Sequence, residues 1–116
     1  MAGVSIVPSD NSLILTSAVV SNAGGGAIAA PAATTGKIIR VYKLFLVVTS
    51  ATSITFQDGS TALSGAMALA ANGAITLDFD GVPWFTTSAG AAFNVNSSNA
   101  VQVSGTIYYT LTKFTG

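Results

Sequence analysis

Apolar and polar residues alternate in short runs along this chain, and Gly, Asn, Asp and Pro separate the runs. A period of two marks a strand with one face buried. Ile54 and Phe56 alternate with Thr55 and Gln57 until Asp58-Gly59 supplies a turn. After Asn72-Gly73, Ile75, Leu77 and Phe79 alternate with Thr76, Asp78 and Asp80, which places the three apolar residues inside and both Asp in solvent. Phe93 and Val95, set between Asn94 and Asn96, predict a short strand. From Val101 to Phe114, Val101, Val103, Ile107, Tyr109 and Leu111 point one way, and Gly105 interrupts them as a bulge or a close backbone approach. Residues 12–20 (SLILTSAVV) are rich in β-branched side chains and read as a further strand.

The longest strand candidate is residues 37–49 (KIIRVYKLFLVVT), and its alternation is imperfect. Arg40 and Tyr42 share a parity with Leu44, Leu46 and Val48, whereas Lys43 falls among Ile39, Val41, Phe45 and Val47. Both faces are therefore apolar toward the end of the strand, so both are to be covered, by the chain itself or by a neighbouring subunit. Residues 1–11 read as a terminal arm or short edge strand. Residues 21–36 (SNAGGGAIAAPAATTG) read as a long flexible connection, either a mobile surface loop or an arm that orders only against a partner.

Many short strands, turn residues between them and no convincing helix predict an all-β fold. The expected architecture is an antiparallel β-sandwich, jelly-roll-like, formed by residues 1–116 as a single domain with an extended N-terminal arm or a long Gly/Ala-rich loop.

Composition sharpens this into a statement about surfaces. Charged residues make up 7% of the chain, against roughly 25% in ordinary soluble domains. Lys37, Arg40, Lys43 and Lys113 balance Asp10, Asp58, Asp78 and Asp80 to a net charge of zero. A surface of Ser, Thr, Asn, Ala and Gly packs against protein with little desolvation cost, which favours a subunit of an assembly. Zero net charge argues against nucleic acid. No apolar run approaches membrane-spanning length, and MAGVSIVPSD lacks the layout of a secretory signal, so synthesis in the cytoplasm of the producing cell is expected.

Candidate chemistry is sparse. His, Cys and Glu are absent, which removes most general acid–base groups and thiolate metal sites, so no enzyme, cofactor or metal is expected. Asp78 and Asp80, about 7 Å apart along a strand, read as solvated, and they lack the further oxygen ligands of a calcium loop. Gly24-Gly25-Gly26 has no Gly-Lys-Ser/Thr ending and is not a phosphate loop. The candidate interface residues are Tyr42, Trp84, Phe85 and Tyr108: an aromatic pair after Pro83, one Tyr on the polar face of the last strand, and one on the longest strand.

The run from LFLVVTSATSITFQDGST through MALAANGAITLDFDGVPWF to AFNVNSSNAVQVSGTIYY resembles small β-sandwich virion proteins of tailed bacteriophages. That resemblance spans about residues 37–110. It implies a capsid decoration (cement) protein on the outer capsid surface, a homotrimer that bridges major capsid protein subunits and stabilises the head. It brings no catalytic residue and no small-molecule substrate. The resemblance does not separate that role from a tail, fibre or head-fibre binding module, and for such a module the aromatic pair Trp84 and Phe85, with nearby Asn side chains, is the candidate glycan site.

Overall fold

A computed structural model describes residues 14–113 of the chain. Ten strands are present among the described residues, named here in chain order: β1 (Thr16–Asn22), β2 (Gly26–Ala29), β3 (Lys37–Val48), β4 (Thr52–Asp58), β5 (Thr61–Ala62), β6 (Met67–Leu69), β7 (Ala74–Leu77), β8 (Phe85–Thr86), β9 (Phe93–Ser97) and β10 (Val103–Lys113). No helix occurs among the described residues. The terminal arm expected at residues 1–11 lies outside them.

The strands form two antiparallel sheets that pack together as a β-sandwich. One has the order β1-β10-β3-β7, with β8 also pairing β3; the other has the order β2-β9-β4-β5, with β6 also pairing β4. These orders establish the sandwich without establishing the jelly-roll wiring. Its core joins Val20, Ile39, Leu44, Leu46, Val48, Val103 and Ile107 from the first sheet to Ile54, Phe56, Phe93 and Val95 from the second. Phe56, Phe85 and Phe93 cluster at its centre, with ring centroids 5.1 to 5.6 Å apart.

A bulge explains the broken alternation in β3. Along β10, Tyr108 pairs with Lys43 but Tyr109 pairs with Val41, so the ladder skips Tyr42. Before the skip, Ile39 and Val41 are buried; after it, Leu44, Leu46 and Val48 are. A straight ladder would keep one set inside and turn the other to water. Exposing each such residue costs about 1.5–3 kcal/mol, whereas one lost ladder hydrogen bond costs about 0.5–1.5 kcal/mol. The extra residue is the cheaper solution.

The same bulge shortens β7. Leu77 pairs with Leu44, and the chain then leaves the sheet until Phe85 pairs with Val41. Phe79 is therefore not the third inward residue of a strand; it lies in the connecting loop and is 50% exposed. Asp78 and Asp80 are exposed in the same loop.

Residues 21–36 also depart from expectation. They contain β2, whose Ile28 sits opposite Val95, so the segment is part of the second sheet and not one long flexible connection. Its small residues hide the strand, because only Ile28 gives an inward apolar signal. Ala23–Gly25 carries the chain from the edge of one sheet to the edge of the other. Gly25 holds φ at +74°, which strains any other residue, and a Cβ there would crowd the Asn99 backbone at 3.1 Å.

The predicted turn at Asp58-Gly59 is a hairpin in which Asp58 pairs with Thr61. The loop before β9 ties the sheets together. Thr87 N–H donates to the Ile39 carbonyl (2.9 Å) and Ile39 N–H donates to Thr87 Oγ1 (3.1 Å). Asp58 Oδ2 accepts from the Ser88 N–H (3.0 Å) and hydroxyl (2.7 Å).

Candidate interaction surface

No cavity is found among the described residues, and no group of three or more His, Cys, Asp or Glu side chains there is placed to hold a metal ion. Among the described residues no helix is long and apolar enough to cross a membrane. The features able to act are surfaces, and the two sheets present different ones.

The outer face of the second sheet is polar. Asn94 stands beside Gln57, and Asn96 beside Thr55, with Ala29 and Ala27 on their other side. The first sheet is unlike it. Register aligns Val19, Thr106, Phe45 and Thr76 in one row across four strands, and Ser21, Ser104, Val47 and Ala74 in the next. In those rows Val19 is 74% exposed, Phe45 41% and Val47 44%. A third row runs Ser17, Tyr108, Lys43, and Lys43 is the one charged residue of the three rows. Its Nζ lies 5.4 Å from the centroid of the Tyr108 ring, within cation–π range, so the charge is drawn onto an aromatic surface. Gln102 Nε2 donates to Ser104 Oγ (2.9 Å) and Ser21 Oγ (3.2 Å), which fixes the hydroxyl margin of the face.

Strand adjacency sets the scale of this patch. Neighbouring strands lie about 4.8 Å apart, so Val19 and Phe45, separated by β10, are about 10 Å apart. The reading that both faces of residues 37–49 need a cover is thus half met: Leu44, Leu46 and Val48 are covered by the sandwich, while Phe45 and Val47 face outward.

A second feature is the loop 78–84. The Trp84 indole Nε1 donates to the Asp78 carbonyl (2.8 Å), closing the loop on itself. The Trp84 N–H donates to the Val41 carbonyl (2.7 Å), anchoring it to β3. Phe79 stands over Tyr42 with centroids 6.0 Å apart. The result is a knob with exposed Phe79, Val82, Trp84, Asp78 and Asp80.

Of the four residues that sequence singles out, the structure places two at the surface. Trp84 crowns the knob, and Tyr108 lies on the outer face beneath Lys43. Tyr42 is 8% exposed at the bulge, and Phe85 packs in the aromatic cluster against the core. The four do not converge on one site. Sequence reasoning missed Val19, Phe45 and Val47 as a set; the signal available was the double-faced apolar pattern of residues 44–48, but register alone brings Val19 to it. No protein-family model, curated protein or solved structure matches the chain.

Proposed function

We propose that this chain is a structural subunit of a larger protein assembly, and specifically a virion protein of the capsid-decorating kind. The observation that carries the assembly reading is the outer face of the first sheet, where Val19, Phe45 and Val47 stand exposed with one charge beside them. Burying apolar side chains stabilises association by about 25 cal/mol per Å², and stripping water from hydroxyl neighbours costs little where few charges are involved. Decoration of a capsid follows from the likeness of residues 37–110 to small phage β-sandwich proteins, and low charge agrees with it. In this role the protein binds the major capsid protein at many equivalent positions, each contact modest and the sum large. The reading includes no catalysis, since the chain has no His, Cys or Glu to carry it. Its test is to add purified protein to phage heads that lack it: saturable binding and a raised temperature of head opening are expected, and heads of unchanged stability that bind none of it would remove the reading.

The knob supports a second reading, a glycan-binding module. An exposed indole is able to stack on a sugar ring while the two neighbouring carboxylates accept hydrogen bonds from its hydroxyls. Glycan-array binding that disappears in Trp84→Ala would favour this module over the capsid role.

A further inference from the structure

Among the described residues, the edge of the sandwich that carries β1 shows none of the usual guards against strand addition. Native sheets block an exposed edge with charge, proline, a bulge or a very short strand. β1 is seven residues long, TSAVVSN, with neither a charge nor a proline. It pairs with β10 from Asn22↔Val103 to Thr16↔Tyr109 with no register shift. Among the described residues it ends the order of its sheet, and no backbone hydrogen bond there joins it to anything but β10. β2, the edge strand of the other sheet, is uncharged as well, and the sequence has no charged residue from Asn11 to Gly36. The charges near the first sheet lie on the far side of β1, on β3, at the end of β10 and on the knob.

We infer that this edge pairs with the same edge of a second copy, β1 antiparallel to β1 about a two-fold axis at Val19. The strand's own pattern selects the partner and the register. With Val19 opposite Val19, Ser17 meets Ser21, Ala18 meets Val20, and Thr16 meets Asn22, so every cross-strand pair joins like with like. Shifting the register by two residues sets Val19 against Ser17 and Val20 against Thr16 in one direction, and Val19 against Ser21 and Ala18 against Asn22 in the other. Shifting it by one opposes inward and outward side chains, which would throw the second sandwich to the wrong face. In the Val19 register both cores lie on one side, and the outer row Phe45–Thr106–Val19 continues into Val19–Thr106–Phe45 of the second copy. Val19, the most exposed of the three apolar residues on that face, is then covered at the seam.

This deepens the assembly reading, since it names how two copies meet, but it stands on the strand edge alone. A two-fold contact produces pairs and not the three-copy ring that the phage resemblance implies. The test uses the full chain in three forms. By light scattering, the wild type is expected at twice the 11.6 kDa chain mass. Val19→Lys, which sets two like charges on the axis at an exposed position, is expected at the single-chain mass with an unchanged circular-dichroism spectrum. The natural chain has no Cys, so Val19→Cys reports on the axis directly. Paired residues across antiparallel strands have Cα atoms about 4.5–5.5 Å apart, inside disulfide range. Oxidation should convert it to a covalent dimer, while Thr76→Cys, on the far strand of the same face, stays single. A wild type at one or three chain masses, a Val19→Lys that remains paired, or equal cross-linking at Thr76 would overturn the inference. A monomer whose β1 amides resist exchange would assign the edge to the chain's own residues 1–13 instead. Heads bound by a monomer would leave the capsid role standing and remove this contact.

Discussion

Gly105 and Phe45 lie so close across neighbouring strands that a Cβ at Gly105 would fall on the Phe45 carbonyl oxygen. β10 approaches β3 through a gap that only glycine leaves open, within the sheet that carries the outer apolar face. Gly105→Ala must push the strands apart at the middle of the largest ladder. Overpacking of this kind costs about 1–3 kcal/mol, and with backbone on the receiving side the upper end is expected. A urea midpoint unmoved by the substitution would show that the strands yield freely.

A buried hydroxyl cluster holds one end of the second sheet. Thr52 Oγ1 lies 2.8 Å from Ser97 Oγ and accepts from the Asn99 N–H at 3.1 Å. Ser97 Oγ donates to the Asn99 carbonyl (2.9 Å), so the Thr52 proton goes to Ser97. Thr52→Val keeps the volume but strands the Asn99 N–H and a Ser97 lone pair, and is expected to lose about 1–3 kcal/mol in chemical denaturation. Thr52→Ser, which keeps the hydroxyl, should recover most of that loss.

Opening the knob should be a local event. Trp84→Phe removes the indole donor to the Asp78 carbonyl and keeps a smaller aromatic ring in its place. The net loss is about 1 kcal/mol. Hydrogen exchange at Phe79 to Val82 should accelerate while exchange in β3 and β10 does not change. Equal acceleration across the sheet would mean that the latch supports the whole fold.

Core and face should respond oppositely to aromatic truncation. Phe56 is 1% exposed between Phe85 and Phe93, so Phe56→Ala should cost about 3–5 kcal/mol in thermal or urea unfolding. Phe45→Thr replaces a 41% exposed ring with a residue of good strand propensity. Its stability should change by less than about 1 kcal/mol, with its effect confined to binding.

Much of this architecture is legible in the sequence, and the failures have identifiable causes. The turns at Asp58-Gly59 and Asn72-Gly73 carry local chemistry, and the strands Thr52–Asp58, Phe93–Ser97 and Val103–Lys113 lie where period two puts them. Phe79 is misread because a bulge in a different strand ends its own, a long-range cause with no local trace. The broken parity at Tyr42 is visible in the sequence, but a bulge and a doubly covered strand produce the same broken pattern. β2 is missed because Gly-Ala-Ile-Ala has one large side chain in four. For the surface, Trp84 is legible from its turn and Tyr108 from its strand face. The stripe from Val19 to Phe45 depends on pairing between segments distant in sequence, which periodicity within either segment does not encode.

The proposed assembly role locates the contact on the outer face of the first sheet, around Val19, Phe45 and Val47. The most direct measurement is co-sedimentation of wild type and Phe45→Thr with phage heads lacking the protein, the two compared at equal concentration and equal melting temperature. Saturable wild-type binding that falls at least tenfold in Phe45→Thr is the predicted result. Equal binding by both would contradict the claim, because the ring at the centre of that face would then contribute nothing to the contact.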